Sequence, residues 1–199
     1  MWWREKITYL IFLWLTIGGI SACQDSPEEQ YIRMEEEELE SGIRHDSLFK
    51  GIHFTMEEKQ FRDYCFNQNL EGEFKQGGVK SGNWVECKLK DELRYPAAIN
   101  FFPKFQDNRI TEMEAAIYYD NVRLGAPVPK GDSLLHDVLQ LMEKWYGEGF
   151  IKINSPYFYK ADVYVKVDGN RRITLYKDAS ENLINVWYVD LTAKPRKDE

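Results

Sequence analysis

The sequence has little of what builds catalytic or metal centres. It has three histidines in 199 residues, and none of His45, His53 and His136 stands at metal-ligand spacing from another. Serine-nucleophile signatures and glycine-rich phosphate loops are absent. Glu112 and Glu114 share one face of a predicted strand, which is typical of a solvated face. The sequence therefore predicts no metal, no cofactor and no enzymatic activity.

A basic stripe is also missing, and nucleic acid is therefore excluded as a partner. The net charge of −7 is concentrated near the amino end, where residues 24–46 hold nine acidic residues against Arg33 and Arg44. From Ser47 onward, 22 basic and 23 acidic residues nearly balance. A block of like charge repels itself and buries little. We expect a solvated spacer there, with at most a marginal helix over Met34–Leu39.

Long apolar runs are scarce, and the one near the amino end is too short for a membrane span. Ile7–Ile20 falls below the roughly 20 residues that a spanning helix needs. Arg4 and Lys6 precede this run, and small residues followed by a cysteine end it at Ile20-Ser21-Ala22-Cys23. A charged start, an apolar centre and small residues at the end are typical of a secretory signal peptide.

Ile20-Ser21-Ala22-Cys23 resembles the lipobox of bacterial lipoproteins. The resemblance implies cleavage before Cys23, a diacylglyceryl group on its sulfur and an acylated amine. Two or three chains pass the threshold for stable anchoring. We expect a signal peptide over 1–22, a lipidated acidic tether over 23–46, a domain over 47–199 and a location in the cell envelope, anchored by lipid to a membrane.

Only two cysteines remain after Cys23. Cys65 lies on the apolar face of a predicted helix, and Cys87 lies on the inner face of an alternating strand. An exported chain meets an oxidising compartment, where the two could form a disulfide. The alternative is a pair of buried free thiols that pack as small hydrophobic groups. The sequence leaves both readings open.

Periodicity in the first half predicts a helix followed by strands. "LFKGIHFTM" reads as a strand that leads into a helix, with Thr55 and Glu58 as a capping box and an end near Asn69. "NWVECKLK" alternates and puts Val85, Cys87 and Leu89 on one side. "AAINFFPKF" and "RITEMEAAIYYD" read as paired strands around a turn at 106–108, with Pro103 at an edge or bulge.

The second half repeats this order. A helix capped by Asp132 or Ser133 and closed by Gly147 or Gly149 carries a wide apolar stripe. Four strands follow, at 150–154, 157–167, 171–177 and 183–192, the last apolar on both faces and therefore central. The stripe consists of two rows: Leu134, Val138, Leu141 and Trp145, and beside them Leu135, Leu139, Met142 and Tyr146.

This order predicts an α+β fold with two helices packed on antiparallel sheet or sheets. It favours two tandem helix-plus-meander units over 47–121 and 131–199. The layout resembles the small lipoproteins of the outer-membrane barrel-assembly machinery and the tandem-repeat β-lactamase inhibitor proteins. In those families a Gly-Met-Ser/Thr stretch opens the helix, where this chain has Thr55-Met56-Glu57. The resemblance is one of layout, which does not carry function.

Aromatic residues near the carboxyl end are the candidate binding face. They come together if the last strands pair, and exposed Tyr and Trp suit protein or sugar ligands. The alternative is that they are cross-strand pairs that cover the core. We expect an envelope protein as partner, with a carbohydrate or small ligand as the alternative; the sequence does not set the oligomeric state. The candidate residues are Tyr157, Tyr159, Tyr164, Trp187 and Tyr188.

Overall fold

The computed structural model describes residues 25–80, 82–120, 131–154, 162–179 and 182–193. The α+β class is confirmed, with three helices instead of two in this part of the chain. The helices are α1 (Pro27–Glu40), α2 (Glu58–Leu70) and α3 (Asp132–Tyr146). The strands are β1 (Phe74–Gln76), β2 (Val85–Leu89), β3 (Ala97–Gln106), β4 (Arg109–Tyr119), β5 (Ile151–Asn154), β6 (Asp162–Asp168), β7 (Arg171–Lys177) and β8 (Ile184–Asp190).

All eight strands belong to one antiparallel sheet in the order β1-β2-β3-β4-β8-β7-β6-β5. The helix α2 precedes the meander β1–β4, and α3 precedes the meander β5–β8, as the repeated plan predicted. The two meanders join edge to edge through β4 and β8 into one continuous sheet. The apolar last strand is therefore central, as its sequence predicted.

The helices α2 and α3 pack on one face of the sheet, which we call the core face. Phe101, Ile117 and Tyr188 are fully buried there. The stripe of α3 is confirmed, because Leu134, Val138 and the other buried residues of α3 point at the sheet. Each fully buried large apolar side chain stabilises the fold by about 1.5–3 kcal/mol relative to an exposed one.

The segment before α2 differs from its prediction. Residues 48–56 form turns with one isolated bridge, between Ser47 and His53, instead of a strand. These turns insert Ile52 and Phe54 into the core, and that burial outweighs the strand propensity. The Thr55 capping box was wrong, because Thr55 has φ +66° and Glu57 precedes the helix without a side-chain cap.

The predicted side-chain cap of α3 was also wrong. Gly131 occupies the N-cap position, with φ +56°, and no side chain caps this helix. Its C-terminal end is as predicted, with Gly147 at the C-cap in the left-handed region that glycine tolerates. Neither terminus of α3 therefore depends on a polar cap side chain, and the helix is held mainly by its buried stripe.

The turns follow the chemistry of their residues. Asp107 and Asn108 both have positive φ and join β3 to β4 in a two-residue hairpin. The register of that pair shifts between Lys104 and Phe105, directly after Pro103. A proline beside a strand irregularity is what the sequence predicted.

The expected solvated spacer is instead partly helical, and this is the largest correction. Ser26 and Glu29 form a capping box at the start of α1, and Pro27 occupies its first turn. The helix lies against β5 and β6. No residue of α1 is fully buried, but Tyr31 and Met34 are half-buried. On the face of β6 opposite the core face, Val163, Val165 and Val167 are buried, so apolar packing and polar contacts together hold the helix in place. None of the helices in the described ranges has the length and apolarity needed to cross a bilayer.

Candidate functional site: the outer face of the sheet

The face of the sheet opposite α2 and α3 is the candidate site, and we call it the outer face. Cross-strand pairs Phe102–Glu114, Glu114–Trp187 and Trp187–Thr174 align one row across β3, β4, β8 and β7. On β2, β3, β4, β8 and β7 its residues are Glu86 and Lys88 of β2; Ala98, Asn100, Phe102 and Lys104 of β3; Glu112, Glu114, Ala116 and Tyr118 of β4; Asn185, Trp187 and Val189 of β8; and Arg172, Thr174 and Tyr176 of β7. On β6 the same face carries the buried Val163, Val165 and Val167.

Trp187 stands near the middle of this face and is half-buried. Its Nε1 donates a hydrogen bond to Glu112 Oε2 at 3.0 Å. Two cations approach the indole ring: Lys104 Nζ lies 5.5 Å and Arg172 Cζ lies 5.8 Å from its centroid. A cation this close to an aromatic ring is attracted by its electron density. The indole is therefore held in one orientation.

Lys104 links the two carboxylates of β4. Its Nζ lies 2.7 Å from Glu114 Oε1 and 3.3 Å from Glu112 Oε2. Burial lowers the pKa of Lys104, but the hydrogen bond that it donates to Glu114 and the two negative charges outweigh this effect, and the net pKa is raised. Glu112 and Glu114 share a face as predicted. The shared cation makes them a structural ion-pair network.

A second aromatic pair borders the outer face at the β2 end. The Trp84 and Phe102 rings stack with centroids 6.0 Å apart and planes 30° apart. Lys80 Nζ lies 5.5 Å from the centroid of the Trp84 ring. Trp84 and Phe102 are both half-buried. This pair and Trp187 give the face aromatic surface at two separate points.

A buried polar cluster supports this end of the face. Asn100 is fully buried and accepts a hydrogen bond from the backbone N–H of Lys80 at 2.7 Å. Glu86 is also buried, and it accepts from Tyr118 and lies 2.7 Å from Lys75 Nζ. Burial raises the pKa of Glu86, but its hydrogen bonds from Lys75 and Tyr118 outweigh that effect and lower it. The loop after β1 is thereby tied to the sheet.

The helix α1 covers the other end of the outer face. Tyr31 Oη accepts a hydrogen bond from Arg172 at 3.2 Å, and Glu38 Oε2 accepts one from the backbone N–H of Gly169 at 2.7 Å. Glu28 Oε1 accepts from Asn154 N–H at 3.2 Å. Acidic side chains thus point inward on α1, whereas Ile32 points to solvent and is 54 % exposed.

The structure separates the predicted aromatic site residues. Trp187 lies on the outer face, as a binding residue should. Tyr188 was wrong as a binding-face residue, because alternation along β8 sends it into the core against Phe49 and Tyr146. Tyr164 packs against the core face and is half-buried. Tyr157 and Tyr159 lie outside the described residues.

Cys65 and Cys87 are both free thiols, which is the second of the two readings that the sequence left open. Cys87 is buried on the core face, and Cys65 is half-buried on α2. Burial raises the pKa of both thiols, that of Cys65 to about 12. Neither has the lowered pKa of a reactive thiolate. Cys23, the predicted lipid site, lies outside the described residues.

No group of three or more His, Cys, Asp or Glu residues converges on a metal position within the described ranges. Comparison with protein-family models, with curated proteins and with solved structures found no match. The candidate site therefore depends on its own geometry. The outer face is a hydrogen-bonded sheet surface that carries aromatic rings and ion-paired side chains.

Sequence reasoning missed Phe102, Lys104 and Arg172 as members of this site. Alternation within β3 places Phe102 and Lys104 on one face, and that signal was present in the sequence. The position of Trp187 next to Lys104 depends on how β4 pairs with both β3 and β8. No local pattern predicts that pairing.

Proposed function

We propose that this protein is a cell-envelope lipoprotein that is not an enzyme and that binds another protein through the outer face of its sheet. The pattern Ile20-Ser21-Ala22-Cys23 supports the lipid anchor, with Cys23 as the attachment point. Two acyl chains on that residue suffice for stable attachment. The folded domain then acts next to a membrane.

One observation carries the binding role: Trp187 is half-buried on the outer face, with part of its surface open to solvent, and is fixed there by Glu112, Lys104 and Arg172. Trp, Tyr and Arg dominate the residues that contribute most to protein–protein affinity. A side chain that is already fixed loses little conformational freedom when a partner binds. The neighbouring charges give such a partner a defined orientation.

The same geometry favours a protein over a sugar. A sugar binds by stacking on a free aromatic ring, but Lys104 and Arg172 already approach the Trp187 ring, and Lys80 approaches the Trp84 ring. A sugar that displaced these cations from the rings would provide no negative charge to pair with them. A protein surface carries the carboxylates and backbone carbonyls that pair with them.

The binding role is tested by capture from detergent-solubilised envelopes of the native host. Full-length wild type, Trp187→Ala, Trp84→Ala and the control Lys59→Ala serve as baits; Lys59 lies on α2, away from the outer face, with its side chain 83 % exposed. We expect one protein to be retained by wild type and Lys59→Ala and lost with both tryptophan variants. Equal recovery by all four baits, or none by wild type, overturns the role.

The anchor is tested separately by intact-mass measurement of material from native membranes. We expect loss of residues 1–22 and a mass gain for a diacylglyceryl group on Cys23, both abolished in Cys23→Ser. An uncut leader with a bare sulfur overturns the lipoprotein assignment. A glycan array and melting curves with a panel of sugars cover the carbohydrate alternative, and saturable binding there would contradict the choice of a protein partner.

A further inference from the structure

An apolar groove of about 610 Å³ opens between α2 and the β1–β3 end of the sheet. Its volume lies within the roughly 300–1,000 Å³ that small-molecule sites occupy. Apolar side chains from both the helix and the strands line it, and charged and amide side chains complete the lining. Five phenylalanines and one cysteine stand among the apolar wall residues: Phe61, Cys65, Phe66, Phe74, Phe102 and Phe105.

The groove exists because β2 is shorter than β3. The last pair of that ladder is Val85 with Phe101, and within the described ranges no strand pairs with the remainder of β3, up to Gln106, on this side. The helix α2 passes over the gap and packs through Phe61, whose ring centroid lies 6.0 Å from that of Phe105. Strand length and helix position together leave a space that the described side chains do not fill.

Phe66 marks the mouth of the groove. It is 63 % exposed, although contact of a phenyl ring with water is unfavourable. It adjoins the groove wall, so the apolar surface runs from solvent into the interior. Contiguous apolar surface of this kind marks sites of interaction.

The charges at the rim already have partners within the chain. Arg62 pairs with Glu58, and Lys75 Nζ lies 2.7 Å from Glu86 Oε1. The other polar residues of the lining are the amides Asn69, Gln76 and Asn83. A charged ligand would have to break an existing ion pair to be matched. The rim thus fits a ligand that carries no net charge and has one hydrogen-bonding end.

An extended peptide could in principle add to the free edge of β3, but the edge is unsuited to it. The N–H of Gly77 bonds to the carbonyl of Trp84, so the polar groups of Trp84 point to β1. Because backbone groups alternate in direction along a strand, the N–H and C=O of Val85 point to β3, and the N–H and C=O of its partner Phe101 point to β2. Pro103, two residues on, faces the same open side and has no N–H to donate.

We propose that this groove binds a small uncharged apolar molecule, with a ring or alkyl chain between the phenyl rings and a polar end at the rim amides. The groove shares Phe102 with the outer face, but Trp187 and Trp84 do not line it, so the two binding roles can be tested separately. Cys65 does line it, and it provides a reporter inside the groove.

The test measures how a bound molecule shields Cys65. The full chain is placed in lipid nanodiscs and treated at pH 9 with a thiol-alkylating reagent. Peptide mass spectrometry follows Cys65, and the buried Cys87 should stay unlabelled as long as the fold is intact. The probes are 1-octanol and octanoate, which differ in charge. We expect saturable protection of Cys65 by 1-octanol, about tenfold or more at saturation, and much weaker protection by octanoate.

Two variants on α2 locate the effect. Phe66→Lys places a charge at the mouth and should abolish protection by 1-octanol. Leu70→Lys is the matched control: it is 70 % exposed, one turn further along, and does not line the groove, so protection should persist. Unchanged Cys65 labelling with 1-octanol overturns the site. Equal protection by octanoate, or equal loss in both variants, overturns the ligand class or the location.

Discussion

The side-chain amide of Asn100 donates a hydrogen bond to the carbonyl oxygen of Gly77 at 2.6 Å. The same nitrogen donates to the carbonyl of Val85 at 2.9 Å, and the amide oxygen accepts from the N–H of Lys80. One buried side chain thus satisfies two backbone groups of the loop that bounds the outer face and one of β2. A loop without regular hydrogen bonds needs such a partner when it is covered.

We predict that Asn100→Ala lowers the free energy of unfolding by about 3 kcal/mol, because several buried backbone groups lose their partner at once. Urea denaturation followed by far-UV circular dichroism measures the loss. The control is Asn67→Ala, an exposed position on α2, where the change should stay within about 0.5 kcal/mol. A similar loss in both variants would show that the Asn100 bonds contribute nothing particular.

Gly77 and Gly78 allow the effect of backbone strain to be separated from the effect of a steric clash between an added Cβ and neighbouring side chains. Both have positive φ, at +94° and +110°, so alanine strains the backbone at either position. A Cβ on Gly78 would lie 2.7 Å from Glu86 Oε2 and 2.9 Å from Asn100 Nδ2, whereas one on Gly77 meets nothing within 4 Å. We predict that Gly78→Ala is about 2 kcal/mol less stable than Gly77→Ala in the same denaturation assay. Equal stabilities would contradict the packing of this loop.

The Cys65 thiol should react slowly. Burial raises its pKa from 9.0 to about 12, and the thiolate is the reactive form. At pH 8 the folded protein should therefore alkylate at Cys65 about 1,000-fold more slowly than the chain unfolded in urea. Timed alkylation with peptide mass spectrometry measures both rates. Comparable rates in the two states would show that Cys65 is not buried.

The same shift predicts a pH dependence of stability. The pKa of Cys65 is higher in the folded state, so folding favours the neutral thiol. This contribution is complete below pH 9 and is lost as the pH rises from 9 to about 12. Wild type should thus lose more stability over this range than Cys65→Ala does. Parallel denaturation midpoints for the two proteins would exclude the effect.

The local sequence pattern was sufficient to predict the elements whose apolar residues follow a clear arrangement. The Leu134–Val138–Leu141 stripe predicted α3, and the two-sided apolar character of 184–191 predicted a central strand. Alternation also shows that Trp187 and Tyr188 must face opposite ways. It does not show which of the two faces the core, because that depends on where α3 packs.

Contacts between residues that are far apart in the sequence determine the features that local pattern did not predict. The row Phe102–Glu114–Trp187 joins three strands, and Trp187 is 73 positions away from Glu114 along the chain. We predicted a solvated spacer for the acidic segment 24–46 because its like charges repel one another. Arg172, far away in sequence, supplies the contact to Tyr31 and Glu35 that the segment itself lacks.

That contact gives the last prediction, because it is one of the polar links between α1 and the sheet. Arg172 Nη1 lies 3.2 Å from Tyr31 Oη and 3.7 Å from Glu35 Oε2. A hydrogen bond that involves a charged group contributes about 1.5 kcal/mol or more, which corresponds to about tenfold in an opening equilibrium.

We predict that Arg172→Ala makes backbone amides of residues 27–40 exchange with deuterium about tenfold faster, while β3 and β4 keep their protection. Hydrogen-exchange mass spectrometry resolves these segments. Arg109→Ala is the control, since it removes the same side chain from a position whose ion pair is with Glu57 at 3.7 Å, away from α1. If α1 exchanges equally fast in wild type and in Arg172→Ala, the helix is held by something other than Arg172, and the inward-pointing acidic side chains do not fasten it to the sheet.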